Sequence, residues 1–173
     1  MKEPFFETHL FSDEECDQII ELFDRPGGKS GVGYSEKDWH ISKKTSLVNV
    51  PLHLFRKLES TVNKVNKSYW GFDGKLGRHG EIYRYDPGDF FDWHMDLGDG
   101  SIARRKITTL VQLSSPKDYT GGRLEFLCNV SHTAARERGT LLIYPSFIMH
   151  RVTKLKTGRR FSMGGEFMGK RFV

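Results

Sequence analysis

The sequence predicts an α+β fold that is mainly β, a jelly roll buttressed by two N-terminal helices. Three observations carry this. Apolar residues recur at helical spacing only in the first ~70 residues. Beyond Gly80, short apolar or alternating runs are broken by turn residues. No repeat, low-complexity tract or linker divides the two parts. The 173 residues fit one domain, able to bury a core without disulfides or a structural metal. Its helical part is expected over about 1–75 and its jelly-roll core over about 80–168.

Ser12-Asp13-Glu14-Glu15 has the form of a capping box. Cys16, Ile19, Ile20 and Phe23 follow at i, i+3, i+4, i+7, so a first helix is expected over about 13–24. Arg25 to Lys44 is rich in Gly, Ser and Lys and contains Pro26-Gly27-Gly28 and Gly31-Val32-Gly33. It reads as a mobile loop of the kind that covers an active site and selects the substrate. Thr45 to Val50 reads as a strand, and Leu54, Leu58, Val62, Val65 and Tyr69 form the apolar stripe of a second helix ending before Gly71. Strands are then expected at 81–85, 90–96, 106–113, 123–127, 140–144, 147–153 and 159–167.

With 37% hydrophobic and 28% charged residues the chain has the composition of a soluble globular protein, and no run approaches the ~18 apolar residues of a membrane span. After Met1-Lys2-Glu3-Pro4 the apolar residues are interrupted by Glu7, Thr8 and His9 and form no h-region, unlike a secretory signal, so a cytoplasmic location is expected. Cys16 and Cys128 form no CxxC pair and are expected to be buried, unreactive thiols. The net charge of +5 permits a polyanionic partner, but Lys and Arg are spread along the whole chain, so nucleic acid is not the expected partner.

In Phe90-Phe91-Asp92-Trp93-His94-Met95-Asp96, regular strand geometry would put Phe90, Asp92, His94 and Asp96 on one face, where His94 and Asp96 could share a cation. A His-x-Asp pair alone carries little weight, because chance supplies one in about one such chain in three. His150 offers a third ligand, between the strand-like Leu141-Leu142-Ile143-Tyr144-Pro145 and Arg151-Val152-Thr153. The bland alternative is an ordinary histidine at a loop-to-strand corner. Two histidines and one carboxylate form a facial set suited to Fe(II), leaving adjacent positions open for substrate and O2.

Fe(II) with one Asp keeps a net charge of about +1, which a chelating 2-oxo acid would neutralise. A second carboxylate on that acid would need its own cation. Arg160, ten residues after His150, shares a face with Ser162 by alternation, and an Arg fork plus a hydroxyl can clamp a carboxylate. Arg159 should face the opposite way. Standing alone, Arg159-Arg160 would read as a solvated basic pair.

These residues resemble the prolyl 4-hydroxylase-type branch of the 2-oxoglutarate/Fe(II) dioxygenases, close to its bacterial PKHD-like members. The strongest likeness lies in Tyr83-Arg84-Tyr85-Asp86-Pro87-Gly88 leading into His94-Met95-Asp96, in Leu113–Leu124 and in Tyr144–Thr153. Leu10–Ile20 and Tyr69–Asp73 resemble the family's two helices more loosely. The resemblance implies a double-stranded β-helix, with Fe(II), 2-oxoglutarate and O2 as cofactors and cosubstrates and ascorbate as a candidate reductant. It gives Tyr85 the place of the pocket tyrosine, and puts Gln112 and Thr108, on the Lys106/Thr108/Leu110 face, at 2-oxoglutarate. It implies hydroxylation of an unactivated C–H bond of a prolyl residue or a proline-like or amino-acid substrate, with release of succinate and CO2.

Asp96 itself favours hydroxylation, since related halogenases carry a small residue there. One departure is Glu166, where the family often has tryptophan. The implied partner is a peptide or small-molecule substrate, acting on a monomer or homodimer. Phe91, Trp93 and Tyr119 are candidates for the substrate side, the first two with plain core packing as the alternative and Tyr119 exposed in a turn. Two rival functions are an AlkB-like nucleic-acid demethylase, whose Arg-rich closing signature is not reproduced after His150, and a non-catalytic ligand-binding jelly roll.

Overall fold

In the computed structural model the described residues are 5–23, 29–32, 35–36, 39–42, 44–128 and 130–172. The chain runs β1 (Phe6–His9), α1 (Asp13–Ile20), β2 (Lys29–Val32), β3 (Ser35–Glu36), β4 (Trp39–Ser42), β5 (Lys44–Asn49), α2 (Leu52–Tyr69) and β6 (Lys75–Leu76). It continues through β7 (His79–Tyr85), β8 (Phe90–His94), β9 (Arg105–Gln112), β10 (Tyr119–Gly121), β11 (Leu124–Cys128) and β12 (Val130–Thr133). The last strands are β13 (Thr140–Pro145), β14 (Met149–Val152), β15 (Leu155–Gly158) and β16 (Arg160–Met168). No helix among the described residues is long and apolar enough to cross a membrane.

The strands form a jelly roll. Its major sheet has the order β1-β13-β9-β16-β7-β5-β2 with β6 on β16, and its minor sheet the order β12-β11-β14-β8-β4-β3. A small β10-β15 pair is separate. The two helices back the major sheet, as the sequence predicts. Strand alternation then sorts the central strands onto two cores. Leu141 and Ile143 of β13, Ile107 and Val111 of β9, and Met163 and Phe167 of β16 pack with Cys16, Ile19, Leu54, Leu58 and Val62 of the helices. Leu142, Tyr144 and Leu110 point the other way, to meet Leu124, Phe126, Val152 and Tyr85 between the sheets. A side chain of this size contributes about 1.5–3 kcal/mol when fully buried, so both faces of these strands reward apolar residues.

The Ser12 capping box is present, with Glu15 N–H donating to Ser12 Oγ and Ser12 N–H to Glu15. The helix ends at Ile20, short of the expected 24, because Leu22 and Phe23 bond back three residues in a tight turn that carries both side chains into the core. The first part is less helical than expected. In the stretch read as a mobile loop, residues 25–28, 33, 34, 37, 38 and 43 lie outside the described residues, while the others pair as strands. Lys29–Val32 runs along β5, and Trp39–Ser42 lies against β8. Such pairing rests on backbone hydrogen bonds, which a Gly/Ser/Lys-rich composition does not advertise. The pattern also missed the short strands β1, β6, β10, β12 and β15. Tyr119, expected in an exposed turn, sits in β10 and is 3% exposed, with the Arg136 guanidinium 4.6 Å from its ring.

Cys16 is fully buried under α1, and burial pushes its thiol up to about 11. At pH 8 roughly one molecule in a thousand would carry the reactive thiolate there. Maleimide labelling read by peptide mass mapping should therefore leave Cys16 unmodified in the native protein and modify it in urea. Rapid native labelling would show that α1 does not stay docked.

Candidate metal and 2-oxoglutarate site

The register of β8 against β14 sets His94 directly opposite His150, and Phe91 opposite Val152. Between these pairs Arg151 alone of β14 faces Asp92 and Trp93 of β8, a β-bulge that reverses the alternation. Phe90, Asp92, His94 and Asp96 therefore do not share one face as expected. Phe91 turns inward instead, stacked on the His94 ring at 3.5 Å, while Asp92 is exposed. Trp93 faces outward beneath the Arg151 guanidinium, 4.6 Å from its ring, so it does not line the site. Asp96 lies beyond the end of β8, where its N–H and that of Leu97 donate to Ser146 O at 2.9 and 3.0 Å.

His94, Asp96 and His150 converge, with one ligand atom from each lying within 4.8 Å of the others. His94 Nε2 is 3.8 Å from one Asp96 oxygen and His150 Nε2 is 3.5 Å from the other. Two donors at right angles, each ~2.1 Å from one ion, would lie about 3 Å apart, so small adjustments suffice to chelate. Both rings are prepared for this. His94 Nδ1 meets Asp92 O at 2.7 Å and His150 Nδ1 meets Ile148 O at 2.9 Å, so each Nδ1–H donates to a carbonyl two residues back and each Nε2 lone pair faces the centre. Burial pushes the Asp96 carboxyl up, but His150 when protonated, Arg105, His94 when protonated and the Thr108 hydroxyl outweigh it and hold the group below its ordinary value. Asp96 is thus kept as the anion a cation requires.

The pocket over these groups is walled by Tyr83, Tyr85, Phe91, Leu110, Leu124, Tyr144 and Val152. Gly164 belongs to the wall because an added Cβ would stand 2.6 Å from the Tyr83 hydroxyl. Tyr144, which the sequence reading passed over, brings its hydroxyl to 3.3 Å from His150 Nε2. Burial raises the hydroxyls of Tyr83, Tyr85 and Tyr144, so all three are neutral. The signal for Tyr144 was its alternation with Leu142 on an otherwise apolar strand.

Arg160 and Ser162 are fully buried on one face of β16, as expected, and Arg159 is exposed and donates to Asp86. The Arg160 fork donates to Gln112 Oε1 at 2.9 Å and to Ser162 Oγ at 3.4 Å, and its carbon is 5.2 Å from the Tyr85 ring. Among the described residues no carboxylate pairs with it, and its Nε has no partner. An uncompensated buried guanidinium is costly unless an anion joins it, so this cluster fits the distal carboxylate of a dicarboxylic acid. Gln112 faces Arg160 and also donates to Ala135 O at 3.0 Å. Thr108, expected at the cosubstrate, donates its hydroxyl to Asp96 at 2.7 Å and so supports the candidate metal ligand.

Residues 80–167 match the family model described as the 2OG-Fe(II) oxygenase superfamily. The chain belongs to that superfamily. Within it the likeness is to the PKHD-type, prolyl-hydroxylase-like branch, as the sequence motifs imply. A PKHD-type hydroxylase of Crocosphaera subtropica is 25% identical over 169 residues, covering 91% of this chain and 74% of that protein. A PKHD-type hydroxylase of Idiomarina loihiensis is 34% identical over 90 residues, covering 49% of this chain but only 39% of that protein. In fold the chain is similar to a Pseudomonas putida prolyl-4-hydroxylase, with TM-score 0.74 at 16% identity over 96% of this chain and 93% of that one. It is also similar to a Trichoplax adhaerens prolyl hydroxylase solved with a hypoxia-inducible-factor peptide, with TM-score 0.72 at 16% identity over 95% and 83%.

The buried Arg160 cluster makes a prediction. Gln112→Leu removes the acceptor but keeps the volume, leaving a guanidinium N–H unpaired, and should destabilise the ligand-free protein by about 1–3 kcal/mol in urea unfolding. A neutral result would mean that water already serves this nitrogen.

Proposed function

We propose that the chain is an Fe(II)- and 2-oxoglutarate-dependent hydroxylase acting on an unactivated C–H bond of a prolyl residue or a proline-like or amino-acid substrate, presented in a peptide or small molecule. The carrying observation is the convergence of His94, Asp96 and His150 in a pocket whose neighbouring Arg160 is buried with no counter-ion among the described residues. His94, Asp96 and His150 would hold the metal, and Arg160 with Ser162, Gln112 and Tyr85 would take the distal carboxylate of 2-oxoglutarate. When bound, the metal and cosubstrate supply the redox chemistry, yielding succinate and CO2.

The protein's own part is orientation and exclusion. Carbonyl oxygens of Asp92 and Ile148 fix the two imidazole tautomers. Thr108 and Arg105 hold the Asp96 carboxylate. Phe91, Leu110, Leu124 and Val152 keep water from the pocket walls. The helical part shares its core with the major sheet, which supports reading residues 1–173 as one oxygenase domain. The peptide-bound Trichoplax relative supports a peptide substrate.

The test is a succinate-release screen with Fe(II), 2-oxoglutarate and ascorbate against proline peptides, free amino acids and oligonucleotides. Proline peptides or amino acids should stimulate release; stimulation by oligonucleotides alone would favour a demethylase instead. His94→Ala and Asp96→Ala should abolish turnover, whereas Arg160→Ala should chiefly raise KM for 2-oxoglutarate. Undiminished turnover in the His94 variant would remove the metal assignment.

A further inference from the structure

Glu166 stands two positions beyond Gly164 of the pocket wall, in β16, with Thr108 of β9 as its cross-strand partner. Arg105, at the start of β9, lies between it and the metal ligands. One guanidinium nitrogen, Nη1, is 3.3 Å from an Asp96 carboxylate oxygen and donates to the Asp96 carbonyl at 3.2 Å. The other, Nη2, donates to Glu166 Oε1. Thr108 holds the second Asp96 oxygen. Asp96 is thus gripped by two residues of β9, and one of these is itself gripped by Glu166.

Exposure separates this arrangement from an ordinary surface ion pair. Glu166 is 45% exposed, but Arg105 and Asp96 are each 15% exposed. A surface pair contributes little on its own. Here, however, the carboxylate occupies the nitrogen that would otherwise be free to complete a two-pronged contact with Asp96. A guanidinium fork matches both oxygens of a carboxylate. Without Glu166, Arg105 is free to claim both Asp96 oxygens and compete with a cation for them. With Glu166, its charge is divided between two carboxylates and only one edge faces Asp96.

We propose that Glu166 is a positioning residue that acts through Arg105 to keep the Asp96 carboxylate turned toward the metal position. This rests on reading His94, Asp96 and His150 as the Fe(II) ligands. The same glutamate lines a surface groove with His79, Glu81, Tyr83 and Gly164, and the last two also wall the metal pocket. The relay therefore runs from the edge of the pocket to a ligand of the metal.

The experiment is anaerobic Fe(II) titration of the full chain without 2-oxoglutarate, alongside the visible spectrum of the Co(II)-loaded protein. Partners that orient a metal ligand are worth about 10–100-fold in metal affinity, and a half-exposed one belongs at the lower end. Glu166→Ala should weaken Fe(II) binding about tenfold and shift the Co(II) bands. Glu166→Gln, which keeps an acceptor oxygen for Arg105, should recover much of the affinity; Glu166→Leu, which keeps volume but no acceptor, is the variant to read if the alanine form does not fold. In an Arg105→Leu background, Glu166→Ala should change nothing further, because the relay is already cut. Wild-type affinity and spectrum in the Glu166→Ala or Glu166→Leu variant, or an undiminished effect in the Arg105→Leu background, would overturn the proposal. Failure of the unmodified chain to bind Fe(II) would overturn the metal reading beneath it.

Discussion

The arrangement depends on one register: β8 lies antiparallel to β14 so that His94 and His150 stand opposite one another. Backbone hydrogen bonds hold the two histidines at a fixed separation before any cation is involved. The bulge between Phe91 and His94 then does two things at once. It turns Phe91 inward as a flat apolar cover on the His94 ring, and it releases the chain from strand geometry ahead of Asp96. Freed from the ladder, Asp96 is tied instead through its N–H to Ser146, next to the end of β13. Three strands and two turns thereby bring three ligand atoms to one point.

Electrostatics completes what the register begins. The space between the sheets holds two charged groups of opposite sign at separate places, each treated differently. Asp96 is compensated by the Arg105 guanidinium and the Thr108 hydroxyl, which help keep it ionised despite burial. Among the described residues Arg160 has the neutral oxygens of Gln112 and Ser162 and the Tyr85 ring, and no carboxylate. A satisfied anion suits a permanent cation ligand, whereas an under-compensated guanidinium suits an anion that comes and goes. The neutral tyrosines 83, 85 and 144 bridge these regions without adding charge.

Much of this was legible from residues alone where chemistry and spacing coincide. The inward Arg160 and Ser162 and the outward Arg159 follow from strand alternation, whereas His94, Asp96 and His150 were legible from residue type and meet without sharing the strand face expected of them. Alternation failed where a bulge interrupts it, which is why Phe91 shares the inward face with His94 instead of lying opposite it. It also failed for Tyr119, because a three-residue strand between turn residues has no readable period. Arg105 escaped notice, and Glu166 stood out only as a departure from the family pattern, because their importance lies in Arg105 touching both Glu166 and Asp96 across two strands.

What the amino-acid sequence determined by itself is the chemical inventory and its periodicity: two helices with an apolar stripe, a β-rich remainder, and a His, Asp and His with an Arg ten residues on. These are local properties, readable wherever side chains repeat with the period of their own backbone. Only the tertiary structure decided which strands pair, where the bulge falls, that Thr108 serves Asp96, and that the Gly- and Lys-rich stretch contributes a strand alongside β8. Those outcomes are set by long-range backbone hydrogen bonds and by charges meeting across strands distant in the chain, and neither leaves a periodic trace in one dimension.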